Sequence, residues 1–118
     1  MKSGDIYWVN LDPTIGHEIR KRRPVVVINA GHEKHLKLAI VVPVTEWGPK
    51  WDENPFFVPL EADRRSGLKK KSAVDCFQIR AISHRTFAEK IGEVPDGVMD
   101  RIKSSLSLIL DIDPEHCE

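Results

Sequence analysis

Four basic residues in a row, Arg20, Lys21, Arg22 and Arg23, stand directly before Pro24, and a second basic stretch holds Arg64, Arg65, Lys69, Lys70 and Lys71. Such runs suit a polyanion such as a nucleic acid, although solvated loop charge is the competing reading for a charge run taken alone. Trp47, Lys50 and Trp51 interleave aromatic rings with a cation on one short segment. Rings so placed can stack on unpaired bases while the ammonium meets phosphate. Packing over the fold, or against a protein partner, is the alternative. Gln78 can hydrogen-bond a base edge or sit satisfied on a sheet face. His17 is an acid–base candidate by type, but a loop histidine is more often simply exposed. Cys76 and Cys117 belong to no C-x-x-C pair and no Cys/His cluster, so neither a disulfide framework nor a metal site is indicated, and no cofactor is expected.

The 118 residues fit one domain, read as residues 1–118 with an acidic tail from about Asp111. Hydrophobic residues make up 41% and charged residues 31%, which excludes the composition of a disordered chain. Formal charge balances to zero, yet Asp111, Asp113, Glu115 and Glu118 crowd the C-terminal end, so one face can still be strongly positive. The longest apolar run, Leu38 to Val44, is too short to cross a bilayer, and Met1 to Asp5 lacks a secretory pattern. A cytoplasmic location is the expectation.

Ile6 to Leu11 reads as a strand closed by the turn signal at Asp12 and Pro13, followed by a loop to about Arg23. Pro24 to Asn29 and Leu38 to Val44 are uninterrupted apolar strands, a pattern that predicts burial on both faces. A loop after Thr45 leads to a short strand at Phe56 to Val58, which Pro59 ends or confines to an edge. Ser72 to Ile82 reads as one strand, Ser83 caps a turn or short helix, and Ile91 to Val94 is the last strand. Val98, Met99, Ile102, Leu106, Ile109 and Leu110 recur at helical spacing, with Asp96 placed as N-cap and fraying expected past Leu110. Trp8 reads as a core residue. Short strands with one amphipathic helix give a small, mainly antiparallel α+β domain with a curled, barrel-like sheet.

Gly4-Asp5-Ile6-Tyr7-Trp8-Val9-Asn10-Leu11-Asp12-Pro13, then Gly16, Glu18 and Arg23-Pro24-Val25-Val26-Val27-Ile28, closely resemble the opening of the MazF/PemK family of toxin ribonucleases. Val42-Pro43-Val44-Thr45 resembles the family strand that ends in an active-site threonine, and Gln78-Ile79-Arg80-Ala81-Ile82 its later Gln-Ile-Arg strand. The resemblance spans about Gly4 to Leu110. It implies an SH3-like barrel with a C-terminal helix, acting as a homodimer that cuts single-stranded RNA, messenger RNA foremost, without metal. It also implies a cognate antitoxin that neutralises the activity.

Carried over by motif, the catalytic residues are Arg23 and Thr45. An arginine before proline is held in extended backbone, its planar guanidinium suits phosphate oxygens, and a threonine hydroxyl can donate to the same group. Attack by the ribose 2′-hydroxyl would leave a 2′,3′-cyclic phosphate and a 5′-hydroxyl. Glu18, Arg20, Lys21, Arg22, Trp47, Lys50 and Gln78 form the expected RNA-binding set, and Trp47 and Trp51 the expected antitoxin contacts. Glu46 after Thr45 and Phe77 before Gln78 depart from the pattern, where relatives carry a hydroxyl and an acidic residue. The alternatives are a CcdB-like toxin that binds gyrase without cutting RNA, and a non-catalytic RNA-binding barrel.

Overall fold

The β-branched and aromatic runs form strands in the computed structural model, which describes residues 1–11, 21–29 and 35–112. In chain order these are β1 (Asp5–Leu11), β2 (Lys21–Asn29), β3 (Leu38–Glu46), β4 (Phe57–Leu60), β5 (Ser72–Asp75), β6 (Arg80–Ser83) and β7 (Phe87–Glu93), followed by the helix α1 (Asp96–Ile109). All ladders are antiparallel, in the order β4-β5-β3-β2-β1-β7. Strand β3 serves two partners along one edge: its residues 38–41 pair with β6 and its residues 44–46 with β5.

Among the described residues no ladder joins β4 to β7, and a loop brings the two ends together instead. The segment between β4 and β5 lies against β7, where Glu93 N donates to Arg65 O at 2.8 Å. The approach requires glycine on both sides. A Cβ on Gly67, whose φ is +71°, would fall 2.1 Å from the Ile91 carbonyl oxygen, and one on Gly92 would fall 2.2 Å from that of Arg65. The buried Ser66 knots the loop: its hydroxyl donates to Glu61 O at 2.8 Å and accepts from Leu68 N at 3.2 Å, while its N–H donates to Asp63 Oδ1 at 2.9 Å.

Alternation along the strands creates two apolar clusters on opposite faces. Ile6, Val26, Val42, Val58, Val74 and Cys76 pack under α1 with Met99, Ile102 and Leu106. Val9, Val25, Val27, Ala39, Val41 and Ile82 form the second cluster, with Tyr7 and Phe87 beside it. The double-sided burial expected of β2 and β3 is thus what the structure has.

Several boundaries move. Strand β2 begins at Lys21, because Arg22 and Arg23 continue the ladder opposite Asn10 and Val9. The single strand expected from Ser72 to Ile82 is broken by a 3-10 turn at Cys76–Gln78, capped by Asp75, whose Oδ1 accepts from Phe77 N. Pro59 lies inside β4, an edge strand where its missing N–H costs no ladder bond. Ser83 caps a 3-10 turn as expected. Strand β7 starts at Phe87, four residues ahead of expectation.

The helix is capped by Pro95, whose carbonyl accepts from Met99 N at 3.0 Å, so Asp96 is the first helical residue instead of the cap. At the other end Asp111 takes a left-handed φ of +54°, and Ile112 N donates to Ser107 O at 2.9 Å. This closes the helix in the manner of a Schellman motif, so through Ile112 the expected fraying is absent.

Candidate active site

The ladder between β2 and β3 ends at the pair Val25 and Pro43, after which β3 turns towards β5. Arg23 lies two residues before Val25 and Thr45 two residues after Pro43. Strand alternation therefore puts Arg23 on the face of Val25 and Thr45 on that of Pro43, at neighbouring strand ends.

Two clefts open there. The smaller, about 210 Å³, is lined by Arg23, Gln78 and Arg80 over an apolar floor of Val25, Val41, Pro43 and Ile82. Its floor is the second apolar cluster. Arg80 arrives because it pairs with Val41, and Gln78 because the 3-10 turn swings it off the strand line. Nε2 of Gln78 donates to Asp75 Oδ2 at 2.6 Å, which fixes the amide. Among the described residues neither the Arg23 nor the Arg80 guanidinium has a hydrogen-bond or ion-pair partner. Two unpaired guanidinium groups on one cleft make an anion site, and a planar fork matches phosphate oxygens.

The larger cleft, about 470 Å³, has half-buried Thr45 on its lip and Trp8, Pro24, Val44 and Leu68 among its walls. Arg23 and Thr45 thus border different clefts at one place in the fold. Trp8 is a half-buried cleft wall, correcting its reading as core: it pairs with Pro24 at the open end of the sheet, beyond the reach of α1.

The remaining expected residues are scattered. Arg22 is exposed, with Nη2 2.6 Å from Glu89 Oε1 and its guanidinium 5.4 Å from the Trp8 ring centroid. Trp47 is half-buried with Lys71 Nζ 4.5 Å from its centroid. Trp51 is stacked on Phe57, ring centroids 3.7 Å apart and planes 6° from parallel, with Lys50 Nζ 4.5 Å from its centroid. Neither Trp47, Lys50 nor Trp51 lines either cleft. Glu18, Arg20 and His17 lie outside the described residues, as does the side chain of Lys21. Cys76 is fully buried and burial pushes its thiol up to about 11, so it is no nucleophile at neutral pH.

Arg80 lines the smaller cleft and Trp8, Lys69 and Lys70 the larger, and none of the four was among the expected site residues. The signal for Arg80 was present in the Gln-Ile-Arg string, but its direction depends on the turn at Cys76–Gln78, which breaks the strand period.

Comparison with known proteins accounts for this architecture. Residues 2–110 match the family described as the PemK-like, MazF-like toxin of type II toxin–antitoxin systems. The chain is 35% identical to endoribonuclease PemK of Escherichia coli, over 93% of this chain and 82% of that one. It is 32% identical to endoribonuclease EndoA of Bacillus subtilis, over 93% and 94%. Among solved structures, the MazE–MazF complex of Deinococcus radiodurans superposes with a TM-score of 0.77 at 27% identity, covering 96% of this chain and 97% of the other. With its curled antiparallel sheet, C-terminal helix and near full-length match, the chain belongs to the PemK-like, MazF-like toxin family.

Proposed function

We propose that the protein is a sequence-selective endoribonuclease toxin that cuts single-stranded RNA without metal, messenger RNA foremost, with Arg23 and Thr45 at the reacting phosphate. The observation that carries this reading is the smaller cleft, where the Arg23 and Arg80 guanidinium groups stand beside Gln78 with no partner among the described residues. A 2′-hydroxyl oxygen attacks the adjacent phosphorus, the bond to the 5′-oxygen breaks, and the products are a 2′,3′-cyclic phosphate and a 5′-hydroxyl. The nucleophile is already part of the substrate, so no bound water needs activation. Negative charge grows on the phosphoryl oxygens as the new bond forms, and a fixed guanidinium stabilises that charge more than the ground state. Thr45 donates its hydroxyl hydrogen to the same group. The 2′-hydroxyl proton must leave and the 5′-oxygen must gain one. A guanidinium, which carries its full set of protons, is a poor acceptor for the first of these.

Gln78, its amide tethered by Asp75, is suited to a base edge. The Deinococcus radiodurans relative is a MazE–MazF complex, which supports a cognate antitoxin for this chain, and the family supports a cytoplasmic homodimer. Arg22, Trp47 and Trp51 then belong to the surface that antitoxin and RNA contest.

The test is to incubate pure protein with a long mixed-sequence RNA in chelator and map the new ends. Cleavage at a short recurring sequence, with cyclic phosphate ends, is expected. A single deoxyribose just 5′ of the scissile bond should block it; efficient cutting there would overturn the mechanism, and intact RNA throughout would leave a non-catalytic binder.

A further inference from the structure

The larger cleft has more built into it than the reaction at Arg23 and Thr45 requires. We propose that it is a nucleotide slot, taking one RNA nucleotide next to the scissile bond with the base against Trp8 and the phosphate on Lys69 and Lys70. The proposal rests on the ribonuclease reading above and extends it to Trp8, Lys69 and Lys70, to which the quoted motifs give no role.

Position is the first argument. Pro24 and Val44, in the slot walls, are the chain neighbours of Arg23 and Thr45, and Thr45 itself stands on the lip. A strand of RNA held at the catalytic pair thus reaches the slot within one nucleotide, since successive phosphates in single-stranded RNA lie only ~6–7 Å apart, comparable to two residues of extended chain.

Chemistry is the second. Trp8 is the one aromatic side chain among the described residues that line the cleft, half-buried beside apolar Pro24 and Leu68. The Arg22 guanidinium lies over this indole at 5.4 Å from the ring centroid, so a base stacks on the ring by taking that place or the opposite face, and any base can do so. Glu46 also lines the cleft and meets Lys70 at 3.6 Å with both side chains exposed, while Lys69 has no side-chain partner among the described residues, so two cations against one carboxylate leave the rim net positive. An RNA phosphate matches that charge; an apolar peptide segment does not.

Preorganisation is the third. The lysines end a loop that the Ser66 knot, the Arg65–Glu93 bond and the Gly67 and Gly92 contacts clamp onto β7. A wall fixed before binding spares the ligand the entropy of ordering it. This gives the tight glycines a purpose that sheet closure alone leaves open: they hold Lys69 and Lys70 beside Thr45.

The experiment measures binding of a short RNA made uncleavable by one deoxyribose at the cut site, by fluorescence anisotropy, alongside cleavage of its all-ribose form. Trp8→Leu should raise Kd roughly 5- to 100-fold, the loss of one base–aromatic stack, and Trp8→Phe should restore most of it. Removing the flanking base from the RNA should weaken the parent and leave Trp8→Leu unaffected, because the two changes delete one contact. Lys69→Gln with Lys70→Gln, exposed and safe for folding, should lower the slope of log Kd against log salt by about 0.7 per lost phosphate contact. Parent-like Kd in both variants, or a base-removal penalty that persists in Trp8→Leu, overturns the slot. Unchanged RNA binding with weakened binding of an antitoxin overturns it too and assigns the cleft to a protein partner. Failure of the ribonuclease reading shows elsewhere, as intact all-ribose RNA with the parent, while the binding arms still judge the slot.

Discussion

The two faces of the sheet use the same strands for opposite ends. Val26 and Val42 point to the cluster under α1, where Ile102 is fully buried and Leu106 seals the edge. Val25 and Val41, one residue away on each strand, point to the second cluster, which α1 does not cover and whose surface is the floor of the cleft with Arg23 and Arg80. One face is closed by a helix and supplies cohesion. The other is finished by charged side chains and, in the function proposed here, supplies the chemistry. Stability and activity should therefore separate by a shift of one residue.

The largest effect falls on the covered face. Ile102→Ala should cost about 2–5 kcal/mol of stability by emptying a fully buried site, read from urea unfolding, and leave cleavage per folded molecule at the parent level. On the open face the balance reverses. Arg23→Ala should lower kcat/KM for RNA by roughly 10²–10³-fold, as for loss of one fixed charge-stabilising donor. Thr45→Ala should cost roughly five- to tenfold, the worth of about one neutral hydrogen bond. Both variants should unfold within about 0.5 kcal/mol of the parent, because neither vacates the core. An Arg23→Ala protein that cuts RNA normally would remove the proposed site; one that unfolds early would erase the distinction between the faces.

How much of this was written in the sequence divides along the same line. Double-sided burial of β2 and β3 was legible in Pro24 to Asn29 and Leu38 to Val44, since unbroken valine and isoleucine runs have no face for water. The helix was legible from its period. The assignment of Arg23 and Thr45 comes from ordered motifs, not from any property of arginine or threonine, and the cleavage assays above test it. The clefts were not legible. They arise where β3 changes partner from β6 to β5 and where Asp75 caps a turn in the middle of an apparent strand, both fixed by contacts between distant segments. The aromatic–basic pattern of Trp47 and Trp51 left base stacking and packing on the fold both open, and Phe57, six residues beyond Trp51, takes up the Trp51 ring by packing.

A smaller effect tests how tightly the covered face is closed. Burial raises the Cys76 thiol from 9.0 to about 11, so between those values the unfolded chain loses a proton that the folded protein keeps. Stability must then fall as pH rises through that window, by up to about 1.4 kcal/mol per pH unit for one proton. Hydrogen bonds to Glu93 and Asp5 raise Lys90 from 10.5, so its contribution is also lost on the alkaline side, but higher. Cys76→Ala should flatten the dependence of unfolding free energy on pH between about 9 and 11, relative to the parent. An unaltered slope would mean that water reaches the thiol, and that α1 does not seal this face.

The smallest effect concerns two neighbours on one strand. Arg23 and Arg22 point to opposite faces of β2, and among the described residues only Arg22 of the two has a carboxylate, with Glu89 Oε1 2.6 Å from its guanidinium. Both side chains are at least half exposed, so the pair itself is worth only about 0–1 kcal/mol. Its consequence for binding is larger than for folding: a phosphate that uses Arg22 must first displace Glu89. Glu89→Gln should leave stability within about 0.5 kcal/mol of the parent, since it alters an exposed position. RNA affinity should rise a few-fold, and the salt dependence of log Kd should steepen by up to about 0.7 as one more cation meets phosphate. Arg22→Ala should reverse both changes and make Glu89→Gln silent, because the carboxylate acts only through that guanidinium. If Glu89→Gln and Arg22→Ala both left affinity and salt slope as in the parent, Arg22 would have no part in RNA binding, and the cationic surface that meets RNA would begin at Arg23.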